Sequence, residues 1–372
     1  MTDTINLLIK PSSKCNLRCR YCFYACASES RTLYGDGFMS MHTLEALVSK
    51  AYTESLKRVI FAFQGGEPTL VGLDFFKTFM GFIAKYSTAR VTTEFSIQTN
   101  GTTINNEWAD FFVSNGFLVG ISLDGNSGLH NANRIDPGGN GTFNNVSAAL
   151  RLLQRKNAET NILCVVTKQT ARRAEAIYAL FKKMGCRYLQ FVPCLDPENE
   201  KRGQRAYSLS PERYGDFLKR LFDLWYSDWL NRDYVSIRLF DDYVHILAGR
   251  RPASCATSGI CGQYLVVESD GCVYPCDFYT NDEWSLGYIQ EKTLAQLTDS
   301  GKRFIHVQKN EKCVICKYFN VCRCGCKRDR IDGIGENYYC AAYYSFFDYA
   351  MERLLTISSQ ERKVAATLRL MT

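Results

Sequence analysis

Short runs rich in β-branched and aromatic residues alternate with helical patterns along the first half of the chain. The runs lie at residues 5–9, 59–63, 94–98, 118–123, 161–166 and 188–193. Between the last two runs, Ile177, Leu180, Phe181 and Met184 follow helical spacing, and Gly185 is placed to end the helix. This alternation predicts an α/β fold with a parallel sheet, either open or curled into a partial barrel.

From about residue 210 the pattern changes. An aromatic helix is predicted at 214–229 and a short strand at 235–238. Residues 264–267 and 272–274 flank Asp270-Gly271, which predicts a β-hairpin. The final segment, 340–370, is predicted to be helical, with apolar positions at Phe346, Met351, Leu354 and Leu355. We therefore expect two domains, 1–234 and 235–372, the second rich in cysteine.

Residues suited to ligand chemistry follow four of the predicted strands. The loops after these strands contain residues 15–22, 64–68, 99–101 and 124–125. In parallel α/β folds, ligands bind beyond the carboxyl ends of the strands. The sequence therefore predicts a binding site at that end of the sheet.

Composition narrows the class of protein. The chain has 372 residues, 46% of them hydrophobic, which is enough for a large core, and no apolar run is long enough to cross a bilayer. Its first residues lead into a strand pattern without the features of a signal peptide. We expect a soluble cytoplasmic protein. The net charge of +7 comes from scattered Lys and Arg, so neither nucleic acid nor membrane is an expected partner.

Cysteine is the most informative residue type. The chain has 17 Cys but four His, and thiols in the cytosol stay reduced. Metal sites in this chain must therefore be built mainly of thiolates, which favours iron–sulfur clusters or zinc.

The loop after the first strand contains Cys15, Cys19 and Cys22 at C-x3-C-x2-C spacing. Three thiolates can hold three irons of a cubic cluster and leave the fourth iron open. A structural zinc site would need a fourth ligand, for which Cys26 is the nearest candidate. The glycines of the loop after the second strand, Gly65-Gly66-Glu67-Pro68, would let the backbone approach a small ligand.

Taken together, the Cys triplet, the Tyr before its third Cys and the Gly-Gly-Glu-Pro loop resemble the radical S-adenosylmethionine (SAM) enzymes. The resemblance implies a partial (β/α)6 barrel and a [4Fe–4S] cluster whose open iron binds the amino and carboxylate groups of SAM. It also implies reductive cleavage of SAM to a 5′-deoxyadenosyl radical. By matching position, the implied SAM contacts are Tyr21, Gly66, Ser122, Arg134 and Leu195.

The cysteines of the second part follow the pattern Cys261-x9-Gly271-x4-Cys276, then Cys313-x2-Cys316-x5-Cys322-x3-Cys326 and finally Cys340. The middle set alone is compatible with a zinc knuckle. The full pattern resembles the SPASM extension of radical SAM enzymes, which holds two auxiliary [4Fe–4S] clusters. The resemblance assigns Cys255, Cys261, Cys276 and Cys326 to the first cluster and Cys313, Cys316, Cys322 and Cys340 to the second.

Six cysteines then need no metal: Cys26, Cys164, Cys186, Cys194, Cys272 and Cys324. Cys164 and Cys186 lie in or beside apolar runs, where a free Cys behaves as a small hydrophobic residue. Cys272 and Cys324 lie between proposed ligands, so an exchange of ligand roles with them stays open.

The string Tyr274-Pro275-Cys276-Asp277-Phe278-Tyr279 resembles the anaerobic sulfatase-maturating enzymes, as do segments 8–11, 98–101, 161–166 and 221–226. The resemblance spans nearly the whole chain. It implies oxidation of Cys or Ser in an unfolded sulfatase, within a Cys/Ser-x-Pro/Ala-x-Arg motif, to Cα-formylglycine. Asp277 would accept the side-chain proton, and flavodoxin or ferredoxin would act as reductant. Tyr24, Gln64 and Gln98 are candidate peptide contacts.

Two other functions stay open from the sequence. A SPASM enzyme that forms thioether or other crosslinks in a ribosomally made peptide would share the clusters but need not have an Asp after Cys276. A non-catalytic iron–sulfur or zinc regulator would share the cysteines but would not cleave SAM.

Overall fold

A computed structural model of the chain describes residues 3–25, 37–53, 57–197, 200–305, 310–331 and 335–370, with side chains described as far as residue 362. It contains two compact units, each made of separated stretches. The first comprises Met1–Leu123, His130–Asn161 and Gly262–His306, and the second comprises Asp124–Leu129, Ile162–Cys261 and Val307–Thr372. Residues 262–306 therefore lie in the unit that contains the first strand.

The elements follow the predicted alternation. Strands of the described residues are β1 (Thr4–Ser12), β2 (Arg58–Gly65), β3 (Thr92–Thr99), β4 (Phe117–Ser122), β5 (Thr160–Val166), β6 (Tyr188–Pro193), β7 (Ser236–Ile237), β8 (Leu265–Val267), β9 (Cys272–Tyr274) and β10 (Gly287–Tyr288). Helices of the described residues are α1 (Met41–Thr53), α2 (Leu73–Tyr86), α3 (Asn106–Ser114), α4 (Ser127–Asn131), α5 (Phe143–Arg155), α6 (Ala174–Lys183), α7 (Pro211–Leu230), α8 (Arg238–Leu247), α9 (Cys255–Ser258), α10 (Leu294–Ser300), α11 (Lys302–Ile305), α12 (Glu311–Val314), α13 (Phe319–Cys322) and α14 (Cys340–Leu370).

In the first unit the strand order is β10-β9-β8-β1-β2-β3-β4. Strands β1 to β4 and β8 pair in parallel, whereas β9 is antiparallel to both β8 and β10. Ser12 pairs with Gly65, so β1 and β2 end at the same edge of the sheet. This edge receives the loops after β1 and β2, which carry the Cys triplet and the Gly-Gly-Glu-Pro sequence.

Aromatic packing covers one face of this sheet. Helix α2 buries Phe75, Phe76, Phe79 and Ile83 on one side, as expected for an amphipathic helix. The ring centroid of Phe79 lies 5.2 Å from that of Phe61 and 5.0 Å from that of Phe63, and both pairs have edge-to-face geometry. These contacts fix β2 and thus the start of the Gly-Gly-Glu-Pro loop.

In the second unit β5, β6 and β7 form a parallel set in that order. Phe346 of α14 packs against Phe222 of α7 and Phe240 of α8, with both ring separations 5.6 Å. Trp225 of α7 is buried, and its indole Nε1 donates a hydrogen bond of 2.9 Å to the carbonyl oxygen of Val235. Among the helices that can be described, none combines the length and apolar character needed to span a membrane.

Each of the six predicted strand runs forms a strand, and the α/β class with a parallel sheet is confirmed. The hairpin of β8 and β9 is also confirmed, but its turn centres on Ser269 and Asp270. The amide of Gly271 donates to the carbonyl of Glu268 at 2.9 Å, and Gly271 has a φ of 87°. Gly271 therefore closes the turn in the left-handed region.

The apolar positions named in the last helix differ in their burial. Leu354 is fully buried, whereas Leu355 is 44% exposed. Successive helical residues differ by about 100° in direction, and Leu355 points away from the core at this turn of the helix. Helix α14 itself is confirmed.

We predict that Trp225→Ala lowers the free energy of unfolding by about 3–5 kcal/mol, because it leaves a cavity and an unpaired buried carbonyl at Val235. Leu230→Ala is the matched control, since Leu230 lies on the same helix and is 59% exposed. Urea denaturation followed by circular dichroism measures both variants. Equal stability losses would contradict the role given to Trp225.

Candidate active site

The Cys triplet lies on a loop that backbone hydrogen bonds hold in place. The amide of Arg18 donates to the carbonyl of Ile135 at 2.7 Å, and the amide of Arg20 donates to Asn133 at 3.0 Å. Cys15 Sγ accepts from the Leu17 amide at 3.4 Å. All three thiols are partly exposed. Burial raises the pKa of Cys15 to about 11, so a nearby cation such as iron is needed to favour its thiolate.

The loop after β2 packs directly on this Cys loop. The amide of Gly66 donates to Ser12 at 3.0 Å, and that of Glu67 donates to Lys14 at 2.8 Å. A Cβ atom at Gly66 would lie 2.2 Å from the carbonyl oxygen of Lys14. Only glycine fits this contact, because the neighbouring atom belongs to the backbone.

The carboxylate of Glu67 joins the ends of β2 and β3. Its oxygens accept hydrogen bonds from Thr69 Oγ1 and Thr99 Oγ1, both at 2.6 Å, and from the Asn100 amide at 2.7 Å. Glu67 is 1% exposed, and burial raises the pKa of its carboxyl group while these hydrogen bonds lower it. The sequence suggested that this loop meets SAM, but the anchoring role of Glu67 was missed.

Four of the five predicted SAM contacts lie in the first unit. Ser122 Oγ accepts a hydrogen bond of 3.0 Å from Gln98 Nε2. The guanidinium carbon of Arg134 lies 5.5 Å from the ring centroid of Tyr21, and Gly66 lies in the loop beside the cysteines. Leu195 follows β6 in the second unit.

A buried cation, Lys10, lies near the carboxyl end of β1. Lys10 is fully buried, and its Nζ forms ion pairs with Asp277 and, at 3.1 Å, with Oε1 of Glu268. Burial alone would lower the pKa of Lys10, but the charges of Asp277 and Glu268 raise it well above its ordinary range. Lys10 is therefore a permanent ammonium group between two carboxylates.

Two neutral side chains donate hydrogen bonds to the other oxygens of the Asp277 and Glu268 carboxylates. Gln64 Nε2 donates to Oδ2 of Asp277 at 2.9 Å, and the Tyr24 hydroxyl donates to Oε2 of Glu268 at 2.9 Å. Lys10 Nζ also lies 4.1 Å from the ring centroid of Tyr24. The strand register explains the placement of Glu268, because Ile9 pairs with Val267 and the two charged residues follow directly.

Sequence reasoning identified Asp277 but missed the roles of Lys10 and Glu268. Each is a charged residue that directly follows an apolar run in the sequence, and this position could have indicated a functional role. Asp124, predicted to lie at the sheet edge, belongs to the second unit, where its carboxylate accepts a hydrogen bond from the Val165 amide at 2.9 Å.

The cysteines of the predicted second auxiliary cluster all lie in the second unit. Burial raises the pKa of Cys313 and Cys322 to about 12 and that of Cys340 to about 11, and neighbouring thiols add to each increase. Such crowded thiols fit a group whose positive iron stabilises thiolates. Of the first predicted set, Cys276 lies in the first unit and Cys255, Cys261 and Cys326 lie in the second.

The described cysteines are all free thiols, and Cys26 lies outside the described residues. Cys164 and Cys186 are buried, as expected for small hydrophobic side chains, and Cys194 is buried as well. No three described His, Cys, Asp or Glu side chains converge on a point suited to a single metal ion. A cubic cluster does not require such convergence, because each thiolate binds a different iron.

Comparison with known proteins agrees with this geometry. The family model of the radical SAM superfamily matches residues 9–181, and that of an iron–sulfur cluster-binding domain, SPASM, matches residues 255–327. A cysteine-type anaerobic sulfatase-maturating enzyme of Clostridium novyi (strain NT) is 46% identical, over 95% of this chain and 97% of its own. The chain belongs to the anaerobic sulfatase-maturating enzymes.

Other members of this family match as well. A serine-type anaerobic sulfatase-maturating enzyme of Klebsiella pneumoniae is 32% identical, over 92% of this chain and 86% of its own. The solved structure of native anSMEcpe with bound AdoMet and Cp18Cys peptide matches with a TM-score of 0.90 and 44% identity, over 96% of this chain and 99% of that chain. The predicted radical SAM fold with a SPASM domain is confirmed. The roles of individual site residues stay predictions.

We predict that Gly66→Ala reduces both the iron bound by the Cys triplet and SAM cleavage, because the added methyl group meets the backbone of Lys14. Gly81→Ala is the matched control, since a Cβ there meets no atom within 4 Å. Iron content and 5′-deoxyadenosine release measure the effect after anaerobic reconstitution. Wild-type values for Gly66→Ala would refute the close approach.

We predict that Lys10→Met lowers the free energy of unfolding by about 3–5 kcal/mol, because two buried carboxylates lose their counter-charge. Adding Glu268→Gln should recover part of this loss, since one of the two charges is then removed. Thermal unfolding of the single and double variants measures this coupling. Strictly additive losses would argue against the ion-pair cluster.

Proposed function

We propose that this chain is a radical SAM oxidoreductase that converts a Cys side chain of a sulfatase into Cα-formylglycine. The observation that carries the proposal is the fixed carboxylate of Asp277, which directly follows Cys276 and is held by Lys10 and Gln64. Cys is the favoured substrate residue because the 46% identical relative is a cysteine-type enzyme, whereas the serine-type relative is 32% identical.

The proposed cofactors are SAM and three [4Fe–4S] clusters. Cys15, Cys19 and Cys22 hold the SAM-binding cluster, and SAM lies against Tyr21, Gly66, Ser122, Arg134 and Leu195. When bound, this cluster and SAM supply the radical chemistry that removes a hydrogen atom from the substrate Cβ. The close packing of Gly66 on the Cys loop supports this assignment, because it leaves backbone groups beside the cluster site.

Asp277 is the proposed base for the substrate thiol. Lys10 holds Oδ1 and Gln64 donates to Oδ2, so the orientation of the carboxylate is set before substrate arrives. Each oxygen retains a further lone pair that can accept the thiol proton. A fixed base within hydrogen-bond reach of the reacting group is what proton transfer requires.

The eight remaining ligand thiols are proposed to hold two auxiliary clusters. Full thiolate ligation leaves no open iron, so these clusters suit electron transfer better than substrate binding. Cys255, Cys261, Cys276 and Cys326 hold the first cluster, and Cys313, Cys316, Cys322 and Cys340 hold the second. When bound, these clusters would supply a route for the electron released during substrate oxidation. A flavodoxin or ferredoxin is the proposed external redox partner, in the cytoplasm, with no role for nucleic acid or membrane. Residues 1–234 and 235–372 are the proposed functional domains.

The proposed substrate is an unfolded sulfatase segment with a Cys-x-Pro-x-Arg motif. Gln64 and Gln98 are half-buried and lie within the neighbouring strands β2 and β3, so their amides are the proposed peptide contacts. Tyr24 is buried and bonds Glu268, so its proposed role is to support the charged cluster. Neither peptide crosslinking nor a non-catalytic regulatory role is favoured, because relatives spanning most of this chain are sulfatase-maturating enzymes.

We predict that reduced, reconstituted protein converts a Cys-x-Pro-x-Arg peptide to formylglycine, and that Asp277→Asn slows this conversion by about 10²–10⁴-fold, the usual contribution of a general base. Peptide mass and 5′-deoxyadenosine release give the two readouts. SAM cleavage with an unchanged peptide would indicate another substrate, and absence of SAM cleavage would exclude the enzymatic proposal.

The control for the base assignment is Asp282→Asn, because Asp282 is exposed and lies in the same segment. Iron content and circular dichroism of Asp277→Asn should match wild type, since Asn preserves the side-chain shape. An unchanged rate of formylglycine formation by this variant would show that Asp277 is not the base.

A further inference from the structure

A closed ring of side-chain hydrogen bonds joins the Cys loop to the loop after β3. Asn16 Nδ2 donates to Thr102 Oγ1 at 2.8 Å, and Thr102 Oγ1 donates to Asn100 Oδ1 at 2.7 Å. Asn100 Nδ2 donates to Asn16 Oδ1 at 2.9 Å and so closes the ring. All three residues belong to the first unit. Because the Thr102 hydroxyl has one proton, which it gives to Asn100, each member of the ring is both a donor and an acceptor.

The backbone around Asn100 fixes the direction of its side chain. The amide of Asn100 donates to Glu67 Oε2 at 2.7 Å, and Gly101, with a φ of 78°, turns the chain. The amide of Thr102 then donates to Asn100 Oδ1 at 2.9 Å, in the side-chain turn that Asn favours. An oxygen must accept this hydrogen bond, so the Nδ2 group of Asn100 faces the Cys loop.

The ring leaves one hydrogen of the Asn100 side-chain amide for the sulfur of Cys15. Nδ2 carries two hydrogens, and one of them is donated to Asn16. Cys15 Sγ accepts the other, with 3.9 Å between nitrogen and sulfur. Asn100 is 7% exposed, so this hydrogen has little access to water and the sulfur is its partner. The backbone amide of Leu17 donates to the same sulfur at 3.4 Å.

We propose that Asn100 is a positioning residue that donates a hydrogen bond to the Cys15 thiolate and raises the reduction potential of the SAM-binding cluster. The inference rests on the proposed function, which assigns Cys15 to this cluster. Hydrogen bonds to ligand sulfurs are among the factors that set the potential of an iron–sulfur cluster. A donor stabilises the reduced cluster more than the oxidised one, because reduction adds a negative charge.

The test measures the midpoint potential of the SAM-binding cluster in anaerobically reconstituted full-length protein, by electron paramagnetic resonance during reductive titration. The signal of this cluster is the one missing from a variant that carries Cys15→Ala, Cys19→Ala and Cys22→Ala. Asn100→Leu removes the donor at similar side-chain size and should shift the potential to a more negative value at unchanged iron content. The equilibrium constant for reduction should fall by up to about tenfold, the scale of one hydrogen bond to a charged group.

Thr102→Val is the matched control, because it opens the ring while the Thr102 backbone amide still holds Asn100 Oδ1. This variant keeps the donor to Cys15, so its midpoint potential should stay close to that of wild type. Asn100→Asp is the second variant if Asn100→Leu does not fold or loses iron. It preserves the side-chain shape, has an oxygen in place of Nδ2 and should also have a more negative potential.

The outcomes separate this inference from the proposed function. If wild type gives no signal that depends on the Cys triplet, both the proposed function and the role of Asn100 are overturned. If the signal is present, an unchanged potential in Asn100→Leu overturns only the role of Asn100. Equal shifts in Asn100→Leu and Thr102→Val also overturn it, because the ring and not the hydrogen bond to sulfur then sets the potential. Loss of iron from both Asn100 variants overturns it in favour of a structural role.

Discussion

The buried ammonium of Lys10 is the constraint on which the candidate site depends. A charged amine without water needs opposite charge and hydrogen-bond partners, or its burial is prohibitive. Glu268 and Asp277 provide that charge, and together they leave the buried group with one negative charge in excess. Hydrogen bonds from Tyr24 and Gln64 to the carboxylates help to stabilise this excess charge.

The need to neutralise the charge of Lys10 brings together parts of the chain that are far apart in sequence. Lys10 lies within β1, two residues before its end, whereas Glu268 and Asp277 flank the second strand of the β8–β9 hairpin. The parallel pairing of Ile9 with Val267 brings Lys10 and Glu268 side by side. The hairpin is thus positioned both by the register of β1 with β8 and by the ion pairs of Lys10. The ion pair with Lys10 also orients the Asp277 carboxylate.

The sequence allowed the strands to be predicted because their apolar patterns are local. It also predicted the Cys loop and the glycine loop, whose spacing reflects short-range geometry. The partners of Lys10 could not be predicted in the same way, since a lysine at a strand end is equally compatible with an exposed edge. The hydrogen bonds from Thr99 and Asn100 to Glu67 depend on the position of β3, which the residue spacing of the loop after β2 does not specify.

The adjacency of Cys276 and Asp277 limits how the proposed chemistry can be arranged. One peptide unit joins a proposed cluster ligand to the proposed base, so the two cannot move independently. The Tyr264 hydroxyl lies 3.7 Å from Cys276 Sγ, and Lys10 holds the neighbouring carboxylate. The proposed proton acceptor and the proposed cluster ligand therefore share one fixed segment. This arrangement favours loss of the proton and the electron from the same substrate side chain, because neither transfer requires that segment to rearrange.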